Sequence, residues 1–255
     1  MKLVIIGSGN IAHFFVPRLQ KKGHEIIQIY SRELNHAKIL ADAHHVVSYT
    51  DSLDEVSQDA DAYILAVKDG ALEYLNQTLS FKGKLVIHCA GAVSLDVITN
   101  ISENAAVIWA LYSINKKNLP SSNHIPLIVE AKTDTGLRDA MLLAKAISEN
   151  VLQADTHQRE MLHLNAVLVN NFTNHLLTIA QKLSEENKVP FDILHPIIQQ
   201  TFSQIEHILP SESQTGPAIR KDEVTIQKHL KLLEQHRAWQ TVYQDISNSI
   251  QETLD

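Results

Sequence analysis

The sequence predicts an α/β protein: a doubly wound parallel sheet over residues 1–155, followed by a smaller all-α domain over residues 156–255. Three observations predict it. Short apolar runs alternate with helical periods through the first 155 residues. Those runs are continuously apolar, as expected of strands covered on both faces. Beyond Asp155 the runs stop and only helical periodicity remains.

Taken in order, Leu3–Ile6 is a β-branched run ending in glycine. His13–Lys22 reads as a helix closed by Gly23, Glu25–Tyr30 as the second strand and Leu34–Ala43 as the next helix. His45–Tyr49 reads as a short strand and Leu53–Val56 as a helical turn. Ala62–Val67 is an apolar strand, Ala71–Leu79 a helix, and Leu85–His88 a strand running into Cys89-Ala90-Gly91. Ala106–Ala110 and Pro126–Glu130 are two more candidate strands, Asp134–Ser148 is a helix, and Val151–Ala154 is a last strand. In the second half, Gln158–Ser184 is one long helical pattern and Pro190–Ile208 another, with Pro190 suited to a first turn. Pro210–Lys221 is a loop, and Asp222–Glu252 is helical, with Asp222 as a plausible N-cap.

Gly7-Ser8-Gly9-Asn10-Ile11-Ala12 is G-x-G-x-x-A, placed directly after the first strand at the opening of a helix. In that context it is a dinucleotide-binding turn, and the sheet becomes a Rossmann-type one. Gly7 permits the tight turn, Gly9 lets a pyrophosphate approach the backbone, and Ala12 packs the helix close to the sheet. Unpaired N–H groups from Gly9 to Ile11 and the positive end of the helix suit the phosphates. A methyltransferase also carries glycines after its first strand, usually with an acidic residue at the end of the second. Here that strand ends Tyr30-Ser31-Arg32. Ser31 and Arg32 offer a hydroxyl and a fixed cation suited to a 2′-phosphate, so NADP is expected, with NAD as the alternative.

Backbone at Val67 and Lys68, at the end of the Ala62–Val67 strand, is expected to line the nicotinamide side of the cofactor, and the Lys68 side chain either meets a phosphate or a substrate acid or stands exposed in the loop. His88 closes the next strand at the same edge and is a candidate proton donor, against the plainer reading of a structural histidine. Cys89 reads as a small buried residue.

Composition narrows the function. Lys and Arg number 22 against 29 Asp and Glu, a net charge of −7, so nothing draws the chain to nucleic acid or an anionic membrane. The single cysteine excludes a disulfide framework and suits a reducing compartment. The 14 histidines are scattered without an HExxH pattern, and no metal site is expected. No run approaches the roughly 18 apolar residues of a spanning helix, and Leu3–Ile6 is short for a signal peptide, so the protein is expected in the cytoplasm.

In the helical half, α-helical spacing puts His163, Val167, Asn170, Asn174 and Leu177 on one stripe of an otherwise apolar helix. Such a helix reads as buried, and its polar stripe needs partners: a substrate cleft, a helix–helix contact in a dimer, or solvent. His163 and Asn170 are candidate catalytic groups, and Asn171 and Asn174 candidate substrate ligands. Arg220, in the loop Thr215–Asp222, is a further candidate for a carboxylate or phosphate. The length of Gln158–Ser184 and its apolar surface predict a homodimer through the helical domain.

Through Leu3–Ala12, Ser31-Arg32 and Ala66–Asp69, the front of the chain resembles the group of pyrroline-5-carboxylate reductases, 6-phosphogluconate dehydrogenase-like proteins and deazaflavin-dependent NADP oxidoreductases. As a whole it resembles bacterial proteins that join a Rossmann-like domain to a C-terminal domain of unknown function, often labelled NADP oxidoreductases. That likeness rests on His88–Gly91, His163–Asn174, and Gln214–Asp222 with His229-Leu230 following. It implies an all-helical second domain that commonly dimerises, and a cleft between the domains. One departure stands out: relatives carry a Pro-Leu-Gln-Thr-Phe-like segment after the sixth strand, where this chain reads Trp109–Lys116 without the proline and glutamine. The expected function is an NADP-dependent oxidoreductase that moves a hydride to or from a small carbonyl, imine or hydroxy-acid substrate in that cleft. The alternative is a dinucleotide-binding sensor or scaffold without catalysis. A titratable group beside the nicotinamide, His88 or His163, separates the two.

Overall fold

In the computed structural model of the protein, residues 1–252 are described, and the chain divides into two compact units, Met1–Val169 and Asn170–Asp255. Residues 253–255, the end of the expected helical domain, lie outside the described residues.

The first unit is built on one eight-stranded sheet. Its strands are β1 (Lys2–Ile6), β2 (Glu25–Tyr30), β3 (Ser48–Thr50), β4 (Ala62–Leu65), β5 (Leu85–His88), β6 (Ala105–Ala110), β7 (Leu127–Ala131) and β8 (Val151–Gln153). They lie in the order β3-β2-β1-β4-β5-β6-β7-β8, and the first six pair in parallel. That part is the doubly wound order, with its switch point between β1 and β4. The sheet is not parallel throughout: β7 runs antiparallel to β6, with Trp109 opposite Ile128, and β8 runs parallel to β7. The connections explain the difference. β6 and β7 are joined by residues 111–126 without a crossover helix, whereas α4 (Asp134–Ile147) carries the chain from β7 to β8.

Side chains alternate between two buried layers. Leu3, Ile5, Ile64, Ile87 and Ile108 face Phe14, Phe15 and Leu19 of α1 (Asn10–Lys21), Leu40 of α2 (Leu34–Ala43) and Leu143 of α4. Val4, Ile6, Leu65, Val86 and Val107 face Leu72 and Leu75 of α3 (Leu72–Thr78). Cover on both faces is why the strands read as unbroken apolar runs. α1 starts at Asn10, directly on the glycine turn, rather than at His13. β3 starts at Ser48 rather than His45, because His45 turns the chain with φ +55° and Val47 points into solvent.

The expected boundary at 155/156 marks the end of the last strand, but the compact unit continues through α5 (Thr156–Ala166) to Val169. The cause is Arg159, a fully buried side chain of α5 that is bonded to the sheet. The pattern at Gln158–Ser184 is realised as α5, a π-helical stretch Val167–Phe172 and α6 (Thr173–Glu186). A π-turn closes i→i+5, so the α-helical spacing behind the His163–Asn170–Asn174 stripe is interrupted between those residues. The apolar circumference predicts burial, yet Leu164, Val169, Phe172 and Leu176 are exposed, Val169 to 69%. Apolar periodicity shows which face favours cover but not what supplies it.

In the second unit, the expected helix Pro190–Ile208 resolves into a short 3-10 turn, Phe191–Leu194, and α7 (His195–Gln204), with Pro196 in its first turn. Asp222–Glu252 breaks into α8 (Glu223–Leu232) and α9 (Arg237–Glu252). Asp222 caps α8 by accepting from the Thr225 N–H at 3.1 Å. Among the described residues no helix is long and apolar enough to cross a membrane, and no three metal-ligating side chains cluster.

Candidate active site

The glycine turn is wedged between the ends of β1, β2 and β4. Gly7 has φ +118°, and a Cβ there would lie 2.2 Å from the Ala66 carbonyl oxygen. Its N–H donates to the Tyr30 carbonyl at 2.8 Å. Ser8 Oγ donates to Ser31 Oγ at 2.9 Å, tying the turn to the residue that ends β2. Gly9 differs from Gly7: its φ is −82°, and a Cβ would meet nothing nearer than the Ala66 oxygen at 4.0 Å. Protein packing therefore requires glycine at position 7 but not at position 9. Gly9 is the N-cap of α1, with no side-chain cap among the described residues and no acid in the first turn. The orphan N–H groups and the positive helix end are left for an anion, which fits a dinucleotide pyrophosphate.

Around this turn the structure gathers Gly7, Ser8, Gly9, Ser31 and Val67, whose Cγ1 stands 3.3 Å from the Cβ position of Gly7. Arg32 is exposed beside the end of β2, close enough for its charge to bear on Tyr30. Lys68 is exposed. The Ile11 side chain packs against the core, so only its N–H in the first turn of α1 is left to face a ligand. The Asn10 side chain is engaged by the protein itself, accepting from the Lys116 N–H at 3.1 Å. Arg18 likewise donates to the Pro120 carbonyl at 2.5 Å. The divergent segment after β6 is thus folded back onto α1.

A second cluster forms where β5 ends. His88 is fully buried, and its Nδ1 accepts the Ala90 N–H at 3.2 Å, leaving the proton of the neutral ring on Nε2. Burial first, and the Arg159 cation second, lower its pKa to about 4, against an opposing effect of the Ser94 backbone. His88 is thus a buried, neutral ring tied to the turn, surroundings that fit the plainer structural reading weighed beside the donor. Cys89 is buried as expected, its thiol pushed up to about 12 by burial. Beyond them, Gly91 is a point of close approach: a Cβ there would lie 2.5 Å from Trp109 Cε2 and 2.8 Å from His163 Cδ2. The Trp109 and His163 rings lie 5.6 Å apart, tilted by 46°. His163 is half-buried and is the accessible imidazole of this cluster.

His88 makes stability depend on pH. Its pKa is about 4 when folded against an ordinary 6.5 when unfolded. Between those values the unfolded chain binds the proton and the folded chain does not. Stability is therefore complete above about pH 6.5 and is lost as pH falls towards about 4, by about 2 kcal/mol between pH 7 and pH 5. Urea unfolding at the two pH values should show this loss in the parent and not in His88→Asn. Equal losses would place its origin elsewhere.

Sequence reasoning missed the residues that hold this cluster together. Arg159 Nε donates to Glu130 Oε2 at 2.9 Å, and Nη1 donates to the Gly91 carbonyl at 2.6 Å. Thr156 Oγ1 donates to the other oxygen of Glu130. A signal was present in Asp155-x-x-Gln158, a reciprocal capping box that starts α5 at Thr156 and places Arg159 at the sheet. Glu130, an acid within the apolar strand Leu127–Ala131, was the other. The remaining candidates belong to the second unit. Asn170, Asn171 and Asn174 are exposed, with Asn170 Nδ2 donating to Asn171 Oδ1 at 3.4 Å. Arg220 is exposed, and its charge adds to the hydrogen bonds from Thr225 that hold the Asp222 carboxyl below its ordinary pKa.

Two family models match the chain: an NADP oxidoreductase, coenzyme F420-dependent, over residues 2–91, and a domain of unknown function, DUF2520, over residues 125–250. A Bacteroides fragilis protein described as a candidate NADP oxidoreductase is 34% identical, with each chain covered to 98% and a TM-score of 0.88. The chain belongs to this family of Rossmann-fold oxidoreductases with a C-terminal helical domain. More distant structures share its fold alone. The pyrroline-5-carboxylate reductase of Streptococcus pyogenes is 15% identical, with 99% of this chain and 98% of that chain covered and a TM-score of 0.63. The Aspergillus terreus reductive aminase in complex with NADPH and ethyl levulinate is 12% identical, with 99% and 93% covered and a TM-score of 0.74. No curated protein matches the chain.

Proposed function

We propose that the protein is an NADP(H)-dependent oxidoreductase acting on a small carbonyl, imine or hydroxy-acid substrate. The observation that carries this reading is the pairing of the open, uncapped glycine turn with Ser31 and Arg32 at the end of β2. Gly9 and the first N–H groups of α1 hold the pyrophosphate, and Ser31 and Arg32 hold the 2′-phosphate. NADPH, when bound, supplies the hydride. His163 holds the proton for the substrate oxygen or nitrogen at its imidazole, and Trp109 walls the same place. A half-buried histidine at the carboxyl edge of the sheet favours catalysis over a sensor or scaffold, which needs no titratable group there.

Arg32→Ala should weaken NADPH binding by about 10- to 150-fold, the worth of one charge-assisted hydrogen bond. NADH binding should change little, since it lacks the 2′-phosphate. Calorimetric titration of both cofactors decides the matter. Equal losses for the two, or tighter NADH than NADPH binding by the parent, would refute the assignment of NADP(H).

A further inference from the structure

Arg159 is the largest fully buried side chain among the described residues, and it has no task in the proposed chemistry. A buried guanidinium is costly unless paired, and well-packed apolar side chains often stabilise a fold as much as a buried ion pair does. The structure spends this charge in a particular way. Nε takes Glu130 of β7 at 2.9 Å, and Nη1 takes the Gly91 carbonyl at 2.6 Å, with the Ala90 carbonyl at 3.5 Å. The far oxygen of Glu130 is held in turn by Thr156, at the start of the same helix. One side chain thus pins α5 at once to β7 and to the turn that ends β5. His163 follows Arg159 by four residues, one helical turn along the same face. There it packs on Gly91 and Trp109, the surroundings that Arg159 grips from the backbone side.

We propose that Arg159, held by Glu130 and Thr156, is the positioning residue for His163: it sets how that imidazole sits over the Ala90–Gly91 turn and against Trp109. The inference rests on the reading of His163 as the proton-holding group, but its test needs no turnover. Trp109 and Trp239 are the two tryptophans of the chain, and Trp239 stacks on His236 at 4.1 Å. In a Trp239→Phe background, Trp109 is the sole indole. A protonated imidazole beside an indole quenches its emission, and imidazoles ordinarily change charge between pH 5 and 8, so the emission of Trp109 is followed across that range. Around this turn, His88 titrates at about 4, below that window, and Arg159 and Glu130 are paired with each other.

The expected parent signal is a step that His163→Gln abolishes. In Arg159→Lys and Glu130→Gln that step should shrink to less than half or shift its midpoint. NADPH affinity should stay within about twofold, because the glycine turn shares no partner with this cluster. Should the single variants fail to fold, Arg159→Met with Glu130→Leu removes both charges, keeps the space filled, and should lose the step in the same way. An unchanged step in a folded variant would make Arg159 merely structural and overturn the proposal. A parent without a His163-dependent step would overturn it too, since the rings would not be in contact. Failure to bind NADPH with the step and its loss intact would count against the functional reading and leave the positioning role standing.

Discussion

Gly7→Ala should destabilise the first unit by about 2–6 kcal/mol, combining a left-handed backbone conformation with overpacking against main chain. The φ of +118° disfavours any L side chain, and the new Cβ would lie 2.2 Å from the Ala66 carbonyl oxygen and 2.7 Å from its carbon. Neither can yield like a flexible side chain. Ala66 is fixed by its N–H bond to the Ile6 carbonyl at 2.8 Å, so relief would require β1 and β4 to separate. Urea unfolding followed by far-ultraviolet circular dichroism measures the loss. A change below about 1 kcal/mol would mean that the end of β4 does not press on the turn.

The parts of the fold legible in the sequence are those fixed by local chemistry. β2 and α2 lie where their residues predict, at Glu25–Tyr30 and Leu34–Ala43, because one is an apolar strand with cover on both sides and the other carries a clear helical period. The antiparallel β7 was not legible. Strand direction depends on whether a crossover lies between neighbours, and residues 111–126 carry no period that says so. The π-helical stretch Val167–Phe172 was not legible either. Its residues, Val-Leu-Val-Asn-Asn-Phe, are compatible with an ordinary helix, and the wider turn is a tertiary outcome.

The candidate site divides in the same way. Gly7, Ser8 and Gly9 are placed by the local geometry of a strand–turn–helix unit, and Ser31 joins them because β2 pairs with β1 and ends beside the turn. His88 and His163 were both singled out, but sequence could not rank them, because burial separates them. One is sealed beneath the Ala90 N–H and the other stands half-open against Trp109. Arg159 and Glu130 escaped notice because charged residues are read as surface unless a partner is known. Their pairing spans α5 and β7, far apart in the chain.

The most direct test of the account is a titration of the parent and of Gly9→Asp with NADPH, followed by cofactor fluorescence. Gly9 sits at an ordinary φ of −82°, with no atom within 4.0 Å of its Cβ position except the Ala66 oxygen at that distance. The aspartate should therefore leave the unfolding transition in place. Its carboxylate would stand where the pyrophosphate meets the start of α1, so like-charge repulsion and lost space should weaken binding by about 100-fold or more. The predicted result is a folded Gly9→Asp protein that no longer binds NADPH at concentrations saturating the parent. NADPH binding equally well to both proteins would contradict the assignment of the glycine turn as the dinucleotide site.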